Sequence, residues 1–311
     1  MASRICTILL FASLVAPAFG AGSQLALTYL GTAGWQLTDG KIVILVDPYL
    51  SRIPLLSDTS RLRQAENAGR PVVDESMVVK PDTAVVDAHV QHADFILLTH
   101  SHVDHILDAP YIALKTGATV IGHESAINVM RASGVPAGKL ITVRGGEDYT
   151  FGSFSVRIVP SIHSPLFNKH YFQSGIIPPS VQPPFKLGDL IDGGSLAYLI
   201  RIAGHQILAF GSMNYIEREV AGLRPDVVLM GAGESRKEIY DYAGRLMRAL
   251  GFPANILPTH WDNYFVPFAA PQDESIGKLQ DFVNEVRAVS PKTQVIIPKY
   301  FEAVPIPLHR N

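Results

Sequence analysis

The chain has 311 residues, of which 47% are hydrophobic and 17% are charged, a composition typical of a folded globular protein rather than a disordered one. Its formal net charge is −2 and its pI is near 6.6, and no basic stretch is interleaved with aromatic residues. These values exclude the strong positive field that binding of nucleic acid or of an anionic membrane surface requires.

The N-terminal segment has the features of an export signal. Arg4 precedes an apolar run over 5–15, and the small-x-small sequence Ala18-Phe19-Gly20 follows. The run is shorter than the roughly 20 apolar residues of a membrane-spanning helix, although a retained anchor is the alternative. We therefore predict a signal peptide at 1–20, a secreted or periplasmic protein, and no stable insertion in a membrane.

Cleavage after Gly20 would remove Cys6, which is the only cysteine in the sequence. The mature chain, 21–311, would then form no disulfide and would offer no thiolate as a nucleophile or as a metal ligand. Any metal site in it would use imidazole and carboxylate groups.

Strand-like runs dominate the first hundred residues. Three of them, 25–30, 35–38 and 42–46, precede a polar, proline-containing stretch over 50–90 that we interpret as a long irregular excursion. The run 95–98, Phe-Ile-Leu-Leu, is fully apolar, as a strand in the centre of a sheet should be.

Helices and strands alternate in the remainder of the chain. Helices are predicted from apolar residues at helical spacing and from capping residues, as in the capping box Ser235-Arg236-Lys237-Glu238. The predicted helices cover 109–114, 125–132, 235–250 and 274–289. The predicted strands cover 119–121, 154–159, 196–202, 206–210, 227–230, 256–259 and 294–297. Clustered strands with helices between and after them indicate an α/β fold of two packed sheets with helices outside, in a single domain.

The segment His100-x-His102-x-Asp104-His105 begins one residue after the strand 95–98 and Thr99. In an extended segment, residues two apart point the same way, so His100 and His102 can converge on one ion. Asp104 and His105 face another direction, which favours two neighbouring ions over one crowded ion. Imidazole and carboxylate without thiolate are typical of zinc, with iron, manganese or nickel as alternatives.

Two more histidines stand where predicted strands end. His163 closes the sequence Val159-Pro160-Ser161-Ile162-His163, and His260 closes Ile256-Leu257-Pro258-Thr259-His260. A lone histidine at a strand end is more often a surface or capping residue than a ligand. Because a cluster of ligands is already present in this chain, we predict that both bind metal.

In the order of these motifs the chain resembles the metallo-β-lactamase superfamily. The Asp47-Pro48 strand end and the Thr259-His260 context are most similar to the branch that contains ascorbate-6-phosphate lactonase and N-acyl-phosphatidylethanolamine phospholipase D. The resemblance implies a four-layered αββα sandwich with one or two zinc ions at one edge of the sheets. One zinc would be held by His100, His102 and His163, and the other by Asp104, His105 and His260.

The resemblance also assigns a supporting role to Asp47, as an acceptor that orients the histidine loop from the second shell. Its alternative role is that of a turn residue at a strand end. One departure from the superfamily is Ser212, which follows Phe210-Gly211 where most of these hydrolases carry an aspartate that bridges both metals. A neutral hydroxyl is a poor bridge, so Ser212 is expected to weaken the second site without abolishing it.

These features predict an exported zinc-dependent hydrolase. A metal-bound water, with its pKa lowered toward 7, would attack an ester, lactone, amide or phosphodiester bond of a small molecule, and Asp104 would bind metal and orient the nucleophile. The alternative is a non-catalytic metal-binding protein that retains the fold, which Ser212 alone supports. The superfamily cleaves many bond types on one scaffold, so the sequence does not choose the substrate.

The remaining histidines are interpreted as surface or structural residues: His89, His92, His123, His205 and His309. His170 differs, because it lies in the loop 164–192 beside Phe167, Tyr171 and Phe172. Aromatic residues in a long loop next to a predicted ligand indicate either a lid that faces the substrate or a surface loop packed on its own side chains.

Overall fold

The computed structural model of the protein describes residues 25–54, 73–166 and 169–306. The predicted signal peptide at 1–20 and His309 lie outside these residues. Within them the chain forms two β-sheets that pack face to face, with helices against both outer faces. The predicted α/β fold with four layers, αββα, is confirmed.

The first sheet contains the strands of the N-terminal half of the chain and the last strand of the described residues. From edge to edge its strands are β14 (Ala303–Ile306), β1 (Leu25–Gly31), β2 (Gly34–Thr38), β3 (Val43–Val46), β4 (Phe95–Leu98), β5 (Thr119–Gly122) and β6 (Leu140–Thr142). The pairs from β14 to β3 are antiparallel, and the pairs from β3 to β6 are parallel.

The second sheet repeats this plan with the strands of the second half of the chain. From edge to edge its strands are β7 (Asp148–Phe151), β8 (Phe154–Pro160), β9 (Leu196–Ile202), β10 (His205–Phe210), β11 (Val227–Gly231), β12 (Asn255–Thr259) and β13 (Gln294–Val295). The pairs from β7 to β10 are antiparallel, and the pairs from β10 to β13 are parallel. Since β9 is antiparallel to both neighbours, β8 runs in the same direction as β10, β11 and β12.

Helices cover the outer faces because each sheet is apolar on both sides. The helices are α1 (Thr83–His89), α2 (Val103–Ile106), α3 (Ala109–Thr116), α4 (Glu124–Ala132), α5 (Glu217–Val220), α6 (Tyr242–Leu250) and α7 (Asp273–Val289). On the first sheet, Ile112 of α3 and Ile127 of α4 belong to the same buried cluster as Ile96 of β4. On the second sheet, Leu246 of α6 and Phe282 of α7 belong to the cluster that contains Leu208, Ile256 and other strand residues.

The core between the sheets is largely apolar, and one of its tyrosines joins the two sheets. Trp35, Leu97, Tyr198 and Leu257 are all buried in this layer. The Tyr198 hydroxyl on β9 donates a hydrogen bond to the Leu98 carbonyl at the end of β4, at 2.6 Å. This contact fixes the second sheet against the strand that leads into the histidine segment.

The strands predicted from the sequence are present at nearly the same bounds, but β6, β7 and β14 were not predicted. All three are sheet edges whose residues are mostly half-buried or exposed, so their apolar pattern is weak. The stretch over 50–90 is also not wholly irregular. It contains α1, whose N-cap Asp82 accepts hydrogen bonds from the amides of Ala84 and Val85.

The predicted helix over 235–250 is wrong in its first part. Glu234–Glu238 is a 3₁₀ turn, and the α-helix begins only at Tyr242. The Ser235 hydroxyl donates to Ser164 and does not cap a helix. The guanidinium of Arg236 is buried, and it binds the Ala232 carbonyl and Glu285 of α7, which holds the segment in its turn.

No helix in the described part of the chain is both long enough and apolar enough to cross a membrane.

A buried ion pair joins the loop after β3 to the loop after β12. The guanidinium of Arg52 contacts the carboxylate of Asp262, and both side chains are almost fully buried. Asp262 also accepts hydrogen bonds from the hydroxyls of Tyr29 at 2.7 Å and Tyr300 at 2.8 Å, and from the amide of Thr32 at 3.0 Å. The carboxylate therefore ties together segments that are far apart in the sequence.

Arg52→Met is expected to lower the free energy of unfolding by about 3–5 kcal/mol, because it leaves a buried carboxylate without its charge partner. Equilibrium denaturation in urea measures this loss. Lys278→Met is the control, because Lys278 forms an exposed pair with Glu274 on α7 and should cost less than about 1 kcal/mol. Equally small losses in both variants would contradict the role of the buried pair.

Candidate metal centre

The residues predicted to form the site follow strand ends that meet at one edge of the sandwich. Asp47 comes directly after β3, and the segment 99–105 comes after the parallel strand β4. In the second sheet, His163, Ser212 and His260 follow β8, β10 and β12, which run in one direction. Because these strands run in the same direction within each sheet, the residues that follow them lie at the same edge of that sheet. The face-to-face packing of the sheets then brings the two sets of residues into contact.

His100, His102 and His163 form the first group. One ring nitrogen of each lies within 4.8 Å of the others. Their ring centroids are 4.8–4.9 Å apart and their planes cross at 74–87°. Three imidazoles turned toward a common point in this way match the needs of a tetrahedral ion that keeps its fourth position for water or substrate.

The tautomer of His100 follows from its neighbours. The Thr99 hydroxyl donates its proton to Asp47, so its oxygen accepts from Nδ1 of His100, at 3.1 Å. Nε2 of His100 is then unprotonated, and it is buried with no hydrogen-bond partner among the described residues. Burial, reinforced by His105 and His163, holds the pKa of His100 well below its usual value, so the ring is neutral. A metal ion would satisfy this lone pair.

The other two imidazoles of the group are fixed by main-chain carbonyls. Nε2 of His102 donates to the Phe172 carbonyl at 3.1 Å, which leaves Nδ1 unprotonated. Nδ1 of His163 donates to the Ser164 carbonyl at 2.7 Å, which leaves Nε2 unprotonated. Burial lowers the pKa of His102 to about 3 and lowers that of His163 as well. Both rings are neutral and present a free lone pair, as metal ligands must.

Asp104, His105 and His260 form the second group. Oδ2 of Asp104 lies 3.5 Å from Nε2 of His105 and 3.3 Å from Nε2 of His260. Burial alone would lower the pKa of His105, but the charges of Asp104 and Asp47 outweigh it and raise the pKa to about 10. This part of the site therefore attracts positive charge, and a metal ion would replace the proton on Nε2. The donor sets of both groups fit metal ions.

Asp47 contacts both groups, and its carboxylate lies within 4.8 Å of ring nitrogens of His100 and His105. It is fully buried, and it accepts hydrogen bonds from the Thr99 amide at 2.7 Å, from the Thr99 hydroxyl and from Nδ1 of His105 at 2.8 Å. Its backbone is also left-handed, with φ 40°, so it turns the chain at the end of β3 as well. Gly211 of the opposite sheet lies so close that a Cβ there would overlap Thr99 and press on the Asp47 carboxylate.

Ser212 is engaged by the segment that follows His163. Its hydroxyl oxygen accepts from the Ser164 amide at 2.9 Å and lies 3.1 Å from the Ser164 hydroxyl. The Ser235 hydroxyl reaches the same oxygen of Ser164 at 3.0 Å. Ser212 therefore acts on the position of His163, and it contributes no carboxylate between the two groups.

Two contacts of the site were not predicted. The Phe172 carbonyl that accepts from His102 is a main-chain group, which every residue has, so the sequence could not predict it. Tyr264 packs edge-on against His260, with ring centroids 5.1 Å apart, and burial together with the charge of Asp104 raises the pKa of its hydroxyl well above the usual value. An aromatic residue four positions after a predicted ligand, in Trp261-Asp262-Asn263-Tyr264, was the available signal.

The other described histidines take part in neither group. His205 is buried and bonds Asp226 through Nδ1 at 2.5 Å, while His89 stacks on Phe301. His123 is the N-cap of α4, and the exposed His92 lies 3.1 Å from Asp94. His170 is also exposed, and a role for it at a lid stays a prediction.

Residues 26–260 match the family model described as the beta-lactamase superfamily domain. The chain belongs to the metallo-β-lactamase superfamily. Among its relatives, a metal-dependent hydrolase of Heliobacterium modesticaldum is 26% identical over 254 residues, which are 78% of this chain and 84% of that protein. A metal-dependent hydrolase of Paracoccus denitrificans is 25% identical over 283 residues, which are 90% of this chain and 99% of that protein. The narrower assignment to a branch of the superfamily stays a prediction.

Solved structures share the superfamily fold. Igni18, a metallo hydrolase from the archaeon Ignicoccus hospitalis, has a TM-score of 0.57 and 17% identity, with 92% of this chain and 100% of that chain covered. CmlA, a diiron beta-hydroxylase from Streptomyces venezuelae, has a TM-score of 0.56 and 18% identity, with 92% of this chain and 55% of that chain covered. At these identities the likeness concerns the fold alone.

Asp47→Asn is expected to weaken metal binding by about 10–100-fold. The side-chain oxygen of the new asparagine would still accept from the Thr99 amide, so its NH₂ group would face His105 and donate to Nδ1. The ring proton of His105 would then move to Nε2, the nitrogen that faces Asp104. Titration with zinc against a chromophoric chelator measures the affinity. Asp39→Asn is the matched control, because Asp39 only accepts from the amides of an exposed turn. An Asp47→Asn variant with native affinity would contradict the supporting role.

Proposed function

We propose that the protein is a metal-dependent hydrolase that cleaves an ester, lactone, amide or phosphodiester bond of a small molecule. The observation that carries the proposal is the tautomer pattern. His100, His102 and His163 each donate one ring nitrogen to the protein and keep the other free, directed into the cluster. The names of the relatives from Heliobacterium and Paracoccus, both metal-dependent hydrolases, support the reaction class.

The first ion would be held by His100, His102 and His163, and the second by Asp104, His105 and His260. Imidazole and carboxylate ligands, three for each ion, favour zinc, which prefers tetrahedral coordination. Iron and manganese accept the same donors, and CmlA, which shares the fold over part of its length, is a diiron beta-hydroxylase. Because Ser212 supplies no bridging carboxylate, the repulsion between two ions is less compensated, and the three-histidine site should fill first.

When bound, metal ions would activate a water molecule and polarise the scissile bond. The chain's own residues set the geometry for this chemistry. Asp104 directs Oδ2 toward His105 and His260 and would bind metal and orient the attacking water. Asp47 keeps the proton of His105 on Nδ1, away from the metal side of the ring. The low net charge of the protein favours a small-molecule substrate over nucleic acid.

The alternative is a metal-binding protein without turnover. Ser212 in place of a bridging aspartate is the feature that favours it. The presence of all six other predicted ligands in two compact groups speaks against it, because sequence drift after a loss of turnover should not spare all of them. Metal content measured together with hydrolysis separates the two functions.

The purified protein is expected to contain between one and two zinc-like ions and to hydrolyse at least one member of a chromogenic panel of esters, lactones, β-lactams and phosphodiesters. His102→Ala should lose metal and activity together, because it removes a ligand of the three-histidine site. His92→Ala, at an exposed position outside both groups, is the control. Full activity in metal-free His102→Ala protein would refute the hydrolase mechanism, and metal without turnover on any substrate would favour the alternative.

We also propose that the protein is exported by a signal peptide at 1–20. The support is the order of Arg4, the apolar run over 5–15 and the small-x-small sequence at 18–20. N-terminal sequencing of the protein isolated from its native host should give a start near Ala21. Soluble protein that retains Met1 in the cytosol would contradict export.

A further inference from the structure

Solvent reaches the residues of the two histidine groups unevenly. His100 and His105 are each 1% exposed and form the buried side of the centre. The side chains of Asp104 and His260 are 11% and 13% exposed, and His163 is half-buried. A substrate therefore approaches the centre from the side of these last three residues, since the deeper imidazoles offer it no access.

An aromatic ring lies against one histidine of each group. The Phe172 ring is 5.8 Å from that of His102 between centroids, and the Tyr264 ring stands edge-on to that of His260 at 5.1 Å. Tyr264 also packs against Phe265, at 4.3 Å between centroids. All three aromatic residues are half-buried, so part of their apolar surface stays accessible next to the proposed metal ligands.

Two exposed apolar residues extend this surface along the chain. Ile162, directly before His163, is 38% exposed, and Tyr171, directly before Phe172, is 52% exposed. Apolar residues that are exposed singly are common on proteins, but these adjoin residues of one site. Apolar surface that surrounds a few polar groups is typical of sites that bind small molecules.

Two cationic side chains that lie on or against the same loops are already paired. Lys169, three residues before Phe172, lies 2.8 Å from the Glu238 carboxylate. The guanidinium of Arg52, which holds the loop after β12, contacts the Asp262 carboxylate. Proteins recognise phosphate and carboxylate groups with free arginine or lysine side chains, and neither of these is free. The accessible surface therefore suits an uncharged apolar group better than an anionic one.

We propose that the substrate carries an uncharged apolar group, preferably an aryl group, beside the bond that is cleaved, and that Phe172 is a specificity-determining residue for it. The Phe172 ring offers an aromatic contact beside the three-histidine group, and Tyr264 with Phe265 offers apolar surface beside the second group. This inference rests on the proposed function, because it places the reacting bond at the two histidine groups.

Hydroxamates test the inference without turnover, because the hydroxamate group binds zinc and the group attached to it can be varied. Acetohydroxamate, benzohydroxamate and succinate monohydroxamate carry a methyl, a phenyl and a carboxyethyl group, respectively. Titration calorimetry on the zinc-loaded protein measures their Kd values. Benzohydroxamate should bind about 10–100-fold more tightly than acetohydroxamate, because its ring leaves water for an apolar surface. The carboxyethyl compound should bind no more tightly than acetohydroxamate.

Phe172→Ala should lower the affinity for benzohydroxamate about 3–10-fold, because it removes one aromatic contact. The affinities for acetohydroxamate and for zinc should stay unchanged, since the main-chain carbonyl that accepts from His102 remains. Phe252→Ala is the matched control. Phe252 is 50% exposed and precedes β12, so it lies at the end of the second sheet away from the centre.

Equal affinity of the native protein for benzohydroxamate and acetohydroxamate would overturn the inference, and so would tighter binding of the carboxyethyl compound. A Phe172→Ala variant that binds benzohydroxamate like the native protein, or loses affinity for both compounds alike, would show that the ring does not select the substrate. A preference for the phenyl group without hydrolysis of any substrate refutes the proposed function and supports the inference. Hydrolysis without this preference does the reverse, and a protein that binds none of the three compounds overturns both.

Discussion

Asp47 is buried at the end of β3, and its carboxylate accepts every hydrogen bond that the histidine loop directs at it. One of these bonds sets the proton of His105 in the second group. Another passes through the Thr99 hydroxyl and sets the proton of His100 in the first group. A single carboxylate thus determines which ring nitrogen is free in one histidine of each group. Its own place depends on Gly211 of the opposite sheet, since any side chain there would occupy the space that Thr99 and Asp47 share.

The two groups each combine residues from both sheets. The first sheet contributes the segment 100–105 after β4, and the second contributes His163 and His260 after β8 and β12. The centre therefore exists only when the sandwich is closed, and the contact of Tyr198 with the Leu98 carbonyl fixes that closure next to the ligands. An ion that binds both contributions would bind the folded state alone, so metal would stabilise the fold by mass action.

The candidate site residues could be predicted from the sequence where they form a contiguous motif or follow a strand with a strong apolar pattern. The motif from His100 to His105 is contiguous, and His163 and His260 stand at the ends of strands with a strong apolar pattern. Edge strands such as β7 lack that pattern because half of their surface is solvated. The turn at Glu234–Glu238 was mistaken for a helix because the buried Arg236 and a hydroxyl contact between distant serines override the local capping signal. Tyr264 could not be placed from the sequence alone, since its packing against His260 depends on a loop fixed by Arg52.

The acceptor that holds His102 is the main-chain carbonyl of residue 172, whereas the Phe172 ring is a separate element, 5.8 Å from the imidazole between centroids. Every amino acid supplies the same carbonyl, so the metal-facing tautomer does not depend on which side chain stands at 172. The side chain at 172 can therefore change in size and polarity while the hydrogen bond that holds His102 stays intact. Substitutions at this position can then alter the surface beside the histidine group without moving the ring proton of His102.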